Sequence, residues 1–219
     1  MLDILYEDNH LIAINKKSGD IVQADKTGDA PLSDFVKAYI KKKYKKPGEV
    51  FLGTIHRLDR PTSGIVLFAR TSKALTRMNE QFRNKEVQKT YWAIVDKVPP
   101  KHKDILENYL EKNQKQNKSY VTQKKDGKQA ILEYRILKKL DNYFLLEIKP
   151  KTGRHHQIRV QLASIGCIIK GDLKYGAKRS NKDASIHLLA QKLEFIHPVK
   201  KEAISIVAST PKDSLWEAC

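Results

Sequence analysis

The stretch His56-Arg57-Leu58-Asp59-Arg60-Pro61-Thr62-Ser63-Gly64 sets one carboxylate between two arginines and leads directly into Ile65-Val66-Leu67-Phe68-Ala69. Its proline and glycine are typical of a turn, and the apolar run that follows is typical of a buried strand. Neighbouring positive charge favours the ionised form of a carboxylate, so Asp59 is expected to be charged. It could then act as a nucleophile, as a general base or as a group that repels phosphates. On this stretch alone the simpler alternative is favoured, in which Asp59 and Thr62 only hydrogen-bond the backbone of the turn.

The composition indicates a polyanionic partner. The 219 residues are 40% hydrophobic, which is enough to bury a core as one large domain or two small ones. There are 42 Lys and Arg against 25 Asp and Glu, a formal net charge of +17. Between residues 149 and 182, nine Lys and Arg accompany a single acid, Asp172, so the segment carries nine minus one, or +8. Clustered Lys and Arg bind phosphates through counterion release, and this segment therefore reads as a binding surface.

The two cysteines, Cys167 and Cys219, show no Cys-x-x-Cys or mixed Cys/His spacing. A zinc site or a disulfide framework is not expected, and a reducing, cytoplasmic setting is the simplest inference. The first eight residues lack the basic and long apolar regions of a signal peptide. No stretch approaches the roughly 18 apolar residues of a membrane span. We expect a soluble cytoplasmic protein, and a monomer, because no coiled-coil pattern or apolar surface stripe is visible.

The apolar patterns predict an α+β fold with a mixed, mostly antiparallel central sheet flanked by helices and loops, formed by one domain over residues 1–219. One helix is predicted from Leu32 to a stop at Pro47-Gly48, and a second is capped by Ser72. A third helix is predicted to start near Arg154 with Thr152 as its cap. The polar residues 101–128 read as a weakly ordered hairpin or loop. The predicted strands cover residues 4–6, 11–14, 50–52, 65–69, 89–95, 130–137, 143–148, 186–195 and 203–208.

Two further segments could join Asp59 in a site. Lys89-x-Tyr91 stands at the start of a predicted strand, although core packing is the more common role of a strand aromatic such as Tyr91. Residues 152–159 combine the backbone N–H groups of a helix start with basic side chains, a ready site for a phosphate or a carboxylate. A surface position is the default for a helix arginine such as Arg159. A metal pair at His155-His156 is not favoured, because adjacent residues diverge by roughly 100° on a helix.

The stretch at 56–64 resembles the signature loop of the RluA-type pseudouridine synthases. The resemblance covers about residues 5–210, and its other motifs follow in the family's order: Lys89-x-Tyr91, Thr152-Gly153-Arg154-x-His156-Gln157-Ile158-Arg159, Gly171-Asp172, Tyr175-Gly176, His187 and Phe195-Ile196-His197-Pro198. The family usually has Lys-Pro where this chain has Lys16-Lys17, and a proline where Ile168 stands. We expect no amino-terminal S4-like RNA-binding domain, which some relatives carry.

The resemblance implies the pseudouridine synthase fold and the isomerisation of a uridine to pseudouridine, without cofactor or metal, in a stem-loop of ribosomal or transfer RNA. Asp59 matches the family's nucleophile, which would attack the ribose C1′ or the uracil C6. Arg159 matches the basic residue that pairs with that Asp, and Tyr91 the residue that stacks on the base and takes part in proton transfer. Arg57 would fill the space that the flipped base vacates. The expected RNA-binding set is Arg57, Arg60, Thr62, Lys89, Arg154, His156 and Gln157.

Two other classes of function stay open on the sequence. An RNA-binding module or chaperone could keep the fold without catalysis, although binding alone does not require a carboxylate beside anionic RNA. A metal-dependent nuclease would need clustered carboxylates or histidines, whereas the acids here are dispersed along the chain.

Overall fold

The computed structural model describes residues 2–24 and 28–219, which divide into two compact units. Unit 1 comprises Met1–Gln88 and Ala190–Ser209, and unit 2 comprises Lys89–Leu189 and Thr210–Cys219. The single domain over residues 1–219 stays a prediction. The strands are β1 Ile4–Glu7, β2 Leu11–Lys16, β3 Gly53–Thr54, β4 Ser63–Ala69, β5 Gln88–Val95, β6 Lys103–Asn113, β7 Lys118–Thr122, β8 Lys128–Lys139, β9 Phe144–Pro150, β10 Leu188–Ile196 and β11 Ala203–Val207. The α-helices are α1 Leu32–Lys43, α2 Ser72–Arg83, α3 Gln157–Ser164 and α4 Ser214–Glu217, with a 3-10 helix at Leu173–Tyr175.

Unit 1 is a sheet with two helices, α1 and α2, packed against its strands. Its strand order is β1-β2-β4-β10, with β3 paired to β4 and β11 to β10. In the antiparallel pair of β2 and β4, Ile14 lies opposite Val66 and Lys16 opposite Gly64. The helical spacing of α1 buries Val36 and Ile40 against this sheet. All seven residues of β4 are buried, which agrees with the continuous apolar run in the sequence.

Unit 2 is a sheet in the order β5-β9-β8-β6-β7, and each neighbouring pair is antiparallel. Its core combines the inward faces of these strands with two residues of α3, Ile158 and Leu162. Both units mix strands with few helices, so the predicted α+β class is confirmed. Within residues 2–24 and 28–219, no helix is long and apolar enough to cross a membrane.

Two local predictions were wrong and one was partly right. Residues 101–128 do form a hairpin, but it consists of the long, well-paired strands β6 and β7 with the start of β8 and is not weakly ordered, because buried Leu106 and Leu110 recur at even spacing among polar neighbours. Residues 50–52 are not a strand, and β3 follows them at Gly53–Thr54. The N-cap of α2 is Thr71 rather than Ser72, since the Thr71 hydroxyl accepts the Ala74 N–H at 3.2 Å.

Candidate active site

Asp59 lies in a tight turn between β3 and β4. The Thr62 N–H donates to the Asp59 carbonyl oxygen at 3.0 Å, which closes the turn. The Asp59 residue is half-buried, whereas Arg57 and Arg60 are exposed on either side of it. The Arg60 guanidinium forms an ion pair of 2.6 Å with Asp29, and both side chains are about half exposed. The two arginines that flank Asp59 in sequence therefore face solvent.

A buried lysine hydrogen-bonds the backbone of this turn. Lys16 ends β2, is 1% exposed, and donates from Nζ to the carbonyl oxygens of Lys17 at 2.9 Å, Arg60 at 3.1 Å and Thr62 at 2.8 Å. Three ammonium protons thus meet three backbone acceptors. Burial lowers the pKa of Lys16 from 10.5 to about 8, so the group is still charged at neutral pH.

Additional backbone bonds connect the turn to the segment that follows Lys16. The Gly19 N–H donates to the Arg60 carbonyl at 2.9 Å, and the Ser18 hydroxyl donates to the Pro61 carbonyl at 3.2 Å. Gly64 has φ +110°, and a Cβ there would lie 2.7 Å from the backbone nitrogen of Ala190, so only glycine fits at the start of β4. The carboxylate of Asp59 is therefore carried on a fixed backbone.

Two side chains of the signature stretch, Thr62 from the predicted set and His56, lie inside unit 1. Thr62 is 2% exposed, so its side chain lies inside the turn, and its contact with RNA stays a prediction. His56 accepts the Leu67 N–H at Nε2, 3.1 Å away, and its ring stacks on Phe82 with 5.2 Å between ring centroids. This histidine, for which the sequence predicted no separate role, joins the signature stretch to β4 and α2.

In unit 2 the Arg159 guanidinium is held by a buried carboxylate. Nε donates to Oδ2 of Asp172 at 2.7 Å and Nη2 donates to Oδ1 at 2.8 Å, with Arg159 5% and Asp172 1% exposed. These two hydrogen bonds fix both the plane of the guanidinium and the position of its positive charge. Sequence reasoning singled out Asp172 as the lone acid of the basic segment but assigned it no partner.

The turn at residues 152–157 is built by Gln157. Its Oε1 accepts the Thr152 hydroxyl at 2.7 Å and the Arg154 N–H at 3.0 Å, and its Nε2 donates to the Ile131 carbonyl at 3.0 Å. The predicted helix start near Arg154 with a Thr152 cap was wrong, because the Thr152 hydroxyl is engaged with Gln157. The helix α3 begins at Gln157 after His156, which has a left-handed φ of 53°. Arg154 instead donates from Nε to the Gln129 carbonyl at 2.9 Å.

A hydrogen-bonded group of side chains surrounds the two histidines. The Tyr175 hydroxyl lies 2.9 Å from Nδ1 of His156 and accepts the Ser119 N–H at 2.9 Å. The Ser119 hydroxyl lies 2.8 Å from Nδ1 of His155 and donates to the His155 carbonyl at 2.8 Å. The guanidinium of Arg159 lies over the Tyr175 ring, 5.1 Å from its centroid. Burial first, and then the positive charge of Arg159, lowers the pKa of His156 to about 2, so its imidazole is neutral.

Tyr91 and Lys89 share the first half of β5. Tyr91 lies opposite Ile148 of β9 and packs, partly buried, against the core of unit 2. Burial lowers the pKa of Lys89. A Cβ on Gly153 would lie 4.0 Å from its Nζ, so this ammonium borders the turn at residues 152–157.

The predicted site residues fall into two sets. Unit 1 holds Arg57, Asp59, Arg60 and Thr62, and unit 2 holds Lys89, Tyr91, Arg154, His156, Gln157 and Arg159. Sequence reasoning missed the structural roles of Lys16, Ser119, Asp172 and Tyr175. The burial of Lys16 could have been predicted, because in an alternating strand it points to the same face as the apolar residues Ile12 and Ile14. In the described part of the chain, no group of three or more His, Cys, Asp or Glu side chains is placed to hold a metal ion.

Comparisons with known proteins agree on one family. A family model described as RNA pseudouridylate synthase matches residues 10–164. The chain is 38% identical over 213 residues to ribosomal large subunit pseudouridine synthase C of Buchnera aphidicola subsp. Acyrthosiphon pisum, covering 94% of this chain and 66% of that relative. It is 33% identical over 242 residues to tRNA pseudouridine synthase C of Haemophilus influenzae, covering 99% and 95%. The chain thus spans slightly under two thirds of the length of the ribosomal relative and nearly all of the transfer-RNA one.

The fold is similar to a solved structure titled human RNA pseudouridylate synthase domain containing 4. The TM-score is 0.81 at 25% sequence identity, and the match covers 98% of this chain and 90% of the human one.

Proposed function

Because the chain belongs to the RNA pseudouridylate synthase family, we propose that it isomerises a uridine within RNA to pseudouridine. In this reaction the bond between N1 of uracil and C1′ of ribose breaks, the base turns, and C5 is joined to C1′. The hydrogen on C5 leaves to solvent and N1 gains a proton, so no co-reactant is consumed. The chemistry needs a nucleophile, a way to hold the free base, and a path for one proton.

The observation that carries the proposal is the anchoring of the Asp59 turn by Lys16. A nucleophile must hold its position while a bond forms, and the carbonyl groups on either side of Pro61 are fixed by one buried ammonium. We assign the nucleophile to Asp59, which attacks the ribose C1′ or the uracil C6. Arg57 and Arg60 are exposed beside Asp59 and are suited to bind RNA phosphates or to fill the space that the flipped base leaves.

Unit 2 supplies the other groups of the proposed reaction. Arg159 is fixed by Asp172 in a two-point pair, which preorganises a buried cation for a carboxylate or a developing negative charge. Its pairing with Asp59 stays a prediction. Tyr91 has a ring for stacking on the base and a hydroxyl for proton transfer.

The substrate we propose is a stem-loop of ribosomal or transfer RNA. The names of the relatives refer to the ribosomal large subunit and to tRNA, and the formal charge of +17 suits a phosphate-rich partner. We further propose action as a monomer in the cytoplasm, without a cofactor or metal ion. Support for a reducing compartment comes from Cys167 and Cys219, which are both free thiols.

The test is release of tritium from RNA transcripts that contain uridine tritiated at C5, because the new C5–C1′ bond displaces that hydrogen. Total ribosomal and transfer transcripts serve as substrates, and carbodiimide labelling then maps the modified position. We expect release with the wild-type protein and none with Asp59→Ala, which should still fold and bind RNA.

The matched control is Glu49→Ala, which removes an exposed carboxylate from the same unit and is expected to leave turnover within about twofold of wild type. Turnover by Asp59→Ala at the wild-type rate would remove the nucleophile from the proposal. RNA binding with no tritium release from any transcript would favour the rival function, an RNA-binding protein without catalysis.

A further inference from the structure

Three lysines lie close to the start of α3, two of them in the β6–β7 hairpin. Lys112 belongs to β6, Lys118 to β7, and Lys174 to the 3-10 helix at Leu173–Tyr175. Lys112 lies opposite Ser119 in the register, and opposite residues of an antiparallel pair point to the same face of the sheet. The Lys112 side chain is therefore on the face where Ser119 contacts His155.

The ammonium groups of the other two lysines are held by neighbouring atoms. Lys118 Nζ lies 5.2 Å from the centroid of the Tyr120 ring and 5.1 Å from that of Tyr175. Lys174 Nζ donates to the carbonyl oxygens of Asn117 at 3.1 Å and Gln116 at 3.5 Å, at the tip of the hairpin. An ordinary surface lysine extends into water, whereas these two are preorganised.

Carboxylates do not balance this charge. Throughout residues 2–24 and 28–219, no ion pair involves Lys112, Lys118 or Lys174. The carboxylate of Asp172, which directly precedes the 3-10 helix of Lys174, is engaged with Arg159. Lys174 and Lys112 are both near enough to His156 to contribute to its lowered pKa, after burial and the charges of Arg159 and His155. Cations that are held together without counter-charge repel one another, and an anion placed among them relieves that repulsion.

The hairpin is fixed to the residues of the candidate site. The Tyr175 hydroxyl accepts the Ser119 N–H at 2.9 Å and lies 2.9 Å from His156, while the Tyr175 ring also meets the Arg159 guanidinium. The ammonium groups of Lys118 and Lys174 therefore have a set position relative to Arg159 within unit 2. Such preorganisation lowers the entropy cost of binding a rigid or a chain-like anion.

We propose that Lys118 and Lys174, together with Lys112 on the opposite strand of the hairpin, bind the phosphodiester backbone of the substrate RNA next to its target uridine. The inference rests on the proposed function for its choice of RNA as the anion. RNA fits better than an acidic protein segment, because phosphates recur along a strand at regular spacing and each is a point charge that a single ammonium can meet.

The test is the salt dependence of RNA binding. A fluorescein-labelled, uridine-rich RNA stem-loop is titrated with protein at several salt concentrations, and fluorescence anisotropy gives the affinity. Each lost phosphate contact lowers the slope of log affinity against log salt by about 0.7 for a single strand and about 0.9 for a duplex. We expect Lys112→Gln with Lys118→Gln to lower the magnitude of the slope by about 1.4 to 1.8.

The matched control is Lys97→Gln with Lys139→Gln, which removes two exposed lysines from the same unit. Lys139 ends β8, at the opposite end of that strand from the hairpin tip. The control should keep the wild-type slope, and Lys112→Arg with Lys118→Arg should also keep it. A hairpin variant with an unchanged slope, or a control with an equal drop, would overturn the proposal.

The outcome separates this inference from the proposed function, since binding needs no turnover. Tritium release with an unchanged slope would remove the hairpin from the RNA interface and leave the activity in place. A reduced slope without tritium release would keep the interface and remove the activity.

Discussion

The ammonium of Lys16 donates a hydrogen bond of 2.8 Å to the carbonyl oxygen of Thr62, inside unit 1 and out of contact with solvent. The same Nζ also donates to the carbonyl oxygen of Arg60, so one side chain hydrogen-bonds the turn on both sides of Pro61. A backbone turn between two strands would otherwise depend on its own short-range bonds. The position of Asp59 therefore depends on a residue more than forty positions earlier in the chain.

Lys16→Met is expected to weaken both the fold and the activity. The substitution keeps the length of the side chain but leaves three buried carbonyl groups without their donor, at a cost on the order of 3 kcal/mol in the free energy of unfolding. Turnover should fall at least about tenfold, since Asp59 loses its fixed backbone. Urea unfolding and tritium release measure the two effects. Lys17→Met, the exposed neighbour, serves as the control, and equal effects of the two variants would contradict the anchoring role.

The stability of the protein is expected to depend on pH through Lys16. Burial lowers its pKa from 10.5 to about 8 in the folded protein. Between these values the unfolded chain binds more protons than the folded one, so the free energy of unfolding rises with pH across this window. The gap corresponds to about 3 kcal/mol. The difference in stability between wild type and Lys16→Met should grow by that amount from pH 8 to 10.5, measured by urea unfolding. Parallel pH curves would contradict the lowered pKa.

Asp172→Asn is expected to lower activity through Arg159. The change keeps the size of the side chain but removes one charge of a buried pair, which costs about 3–5 kcal/mol. The guanidinium also loses the carboxylate that fixes its plane, so turnover should fall more than RNA binding. Thermal unfolding, tritium release and anisotropy measure the three quantities. The control is Asp126→Asn, which changes an exposed acid of the same unit and should behave as wild type. Turnover by Asp172→Asn at the wild-type rate would show that the reaction does not need the pair of Arg159 and Asp172.

Tyr175→Phe is expected to loosen the β6–β7 hairpin. The variant keeps the ring over which Arg159 and Lys118 lie, but removes the hydroxyl that meets Ser119 and His156. Losing hydrogen bonds of about 1 kcal/mol each should speed amide hydrogen exchange of Ser119 and its neighbours about tenfold. Tyr120→Phe, in the same hairpin, bonds only to Gln116 at the exposed tip and provides the control. Exchange at wild-type rates in the Tyr175 variant would show that the hairpin is held elsewhere.

Local patterns allowed much of the fold to be predicted, and long-range contacts account for what was missed. The helix from Leu32 and the buried strand from Ile65 to Ala69 follow directly from apolar spacing. The order of the β6–β7 hairpin was underestimated because its stability comes from pairing with β8 and from Tyr175, which is 56 residues from Ser119. No local pattern encodes such a contact.

The candidate site likewise contains residues that local motifs revealed and residues that they did not. The motif containing Asp59 was visible because its residues are contiguous, and Arg159 because it lies in a second contiguous motif. The groups that orient them, Lys16 and Asp172, lie outside these two contiguous motifs, Lys16 more than forty residues from Asp59 and Asp172 13 residues from Arg159. Gln157 has a structural role that the motif did not reveal, since its side chain builds the backbone turn, and its predicted contact with RNA stays a prediction.

The four-residue connection at 114–117 acts as a spacer between β6 and β7. In the present register Lys112 is opposite Ser119, and side chains alternate between the two faces of each strand. A slip of one residue would place Lys112 and the Ser119 hydroxyl, which contacts His155, on opposite faces of the sheet. Related chains that keep this tyrosine and serine are therefore expected to vary the residues of the connection while keeping its length. In this segment selection is expected to conserve the number of residues and not their identity.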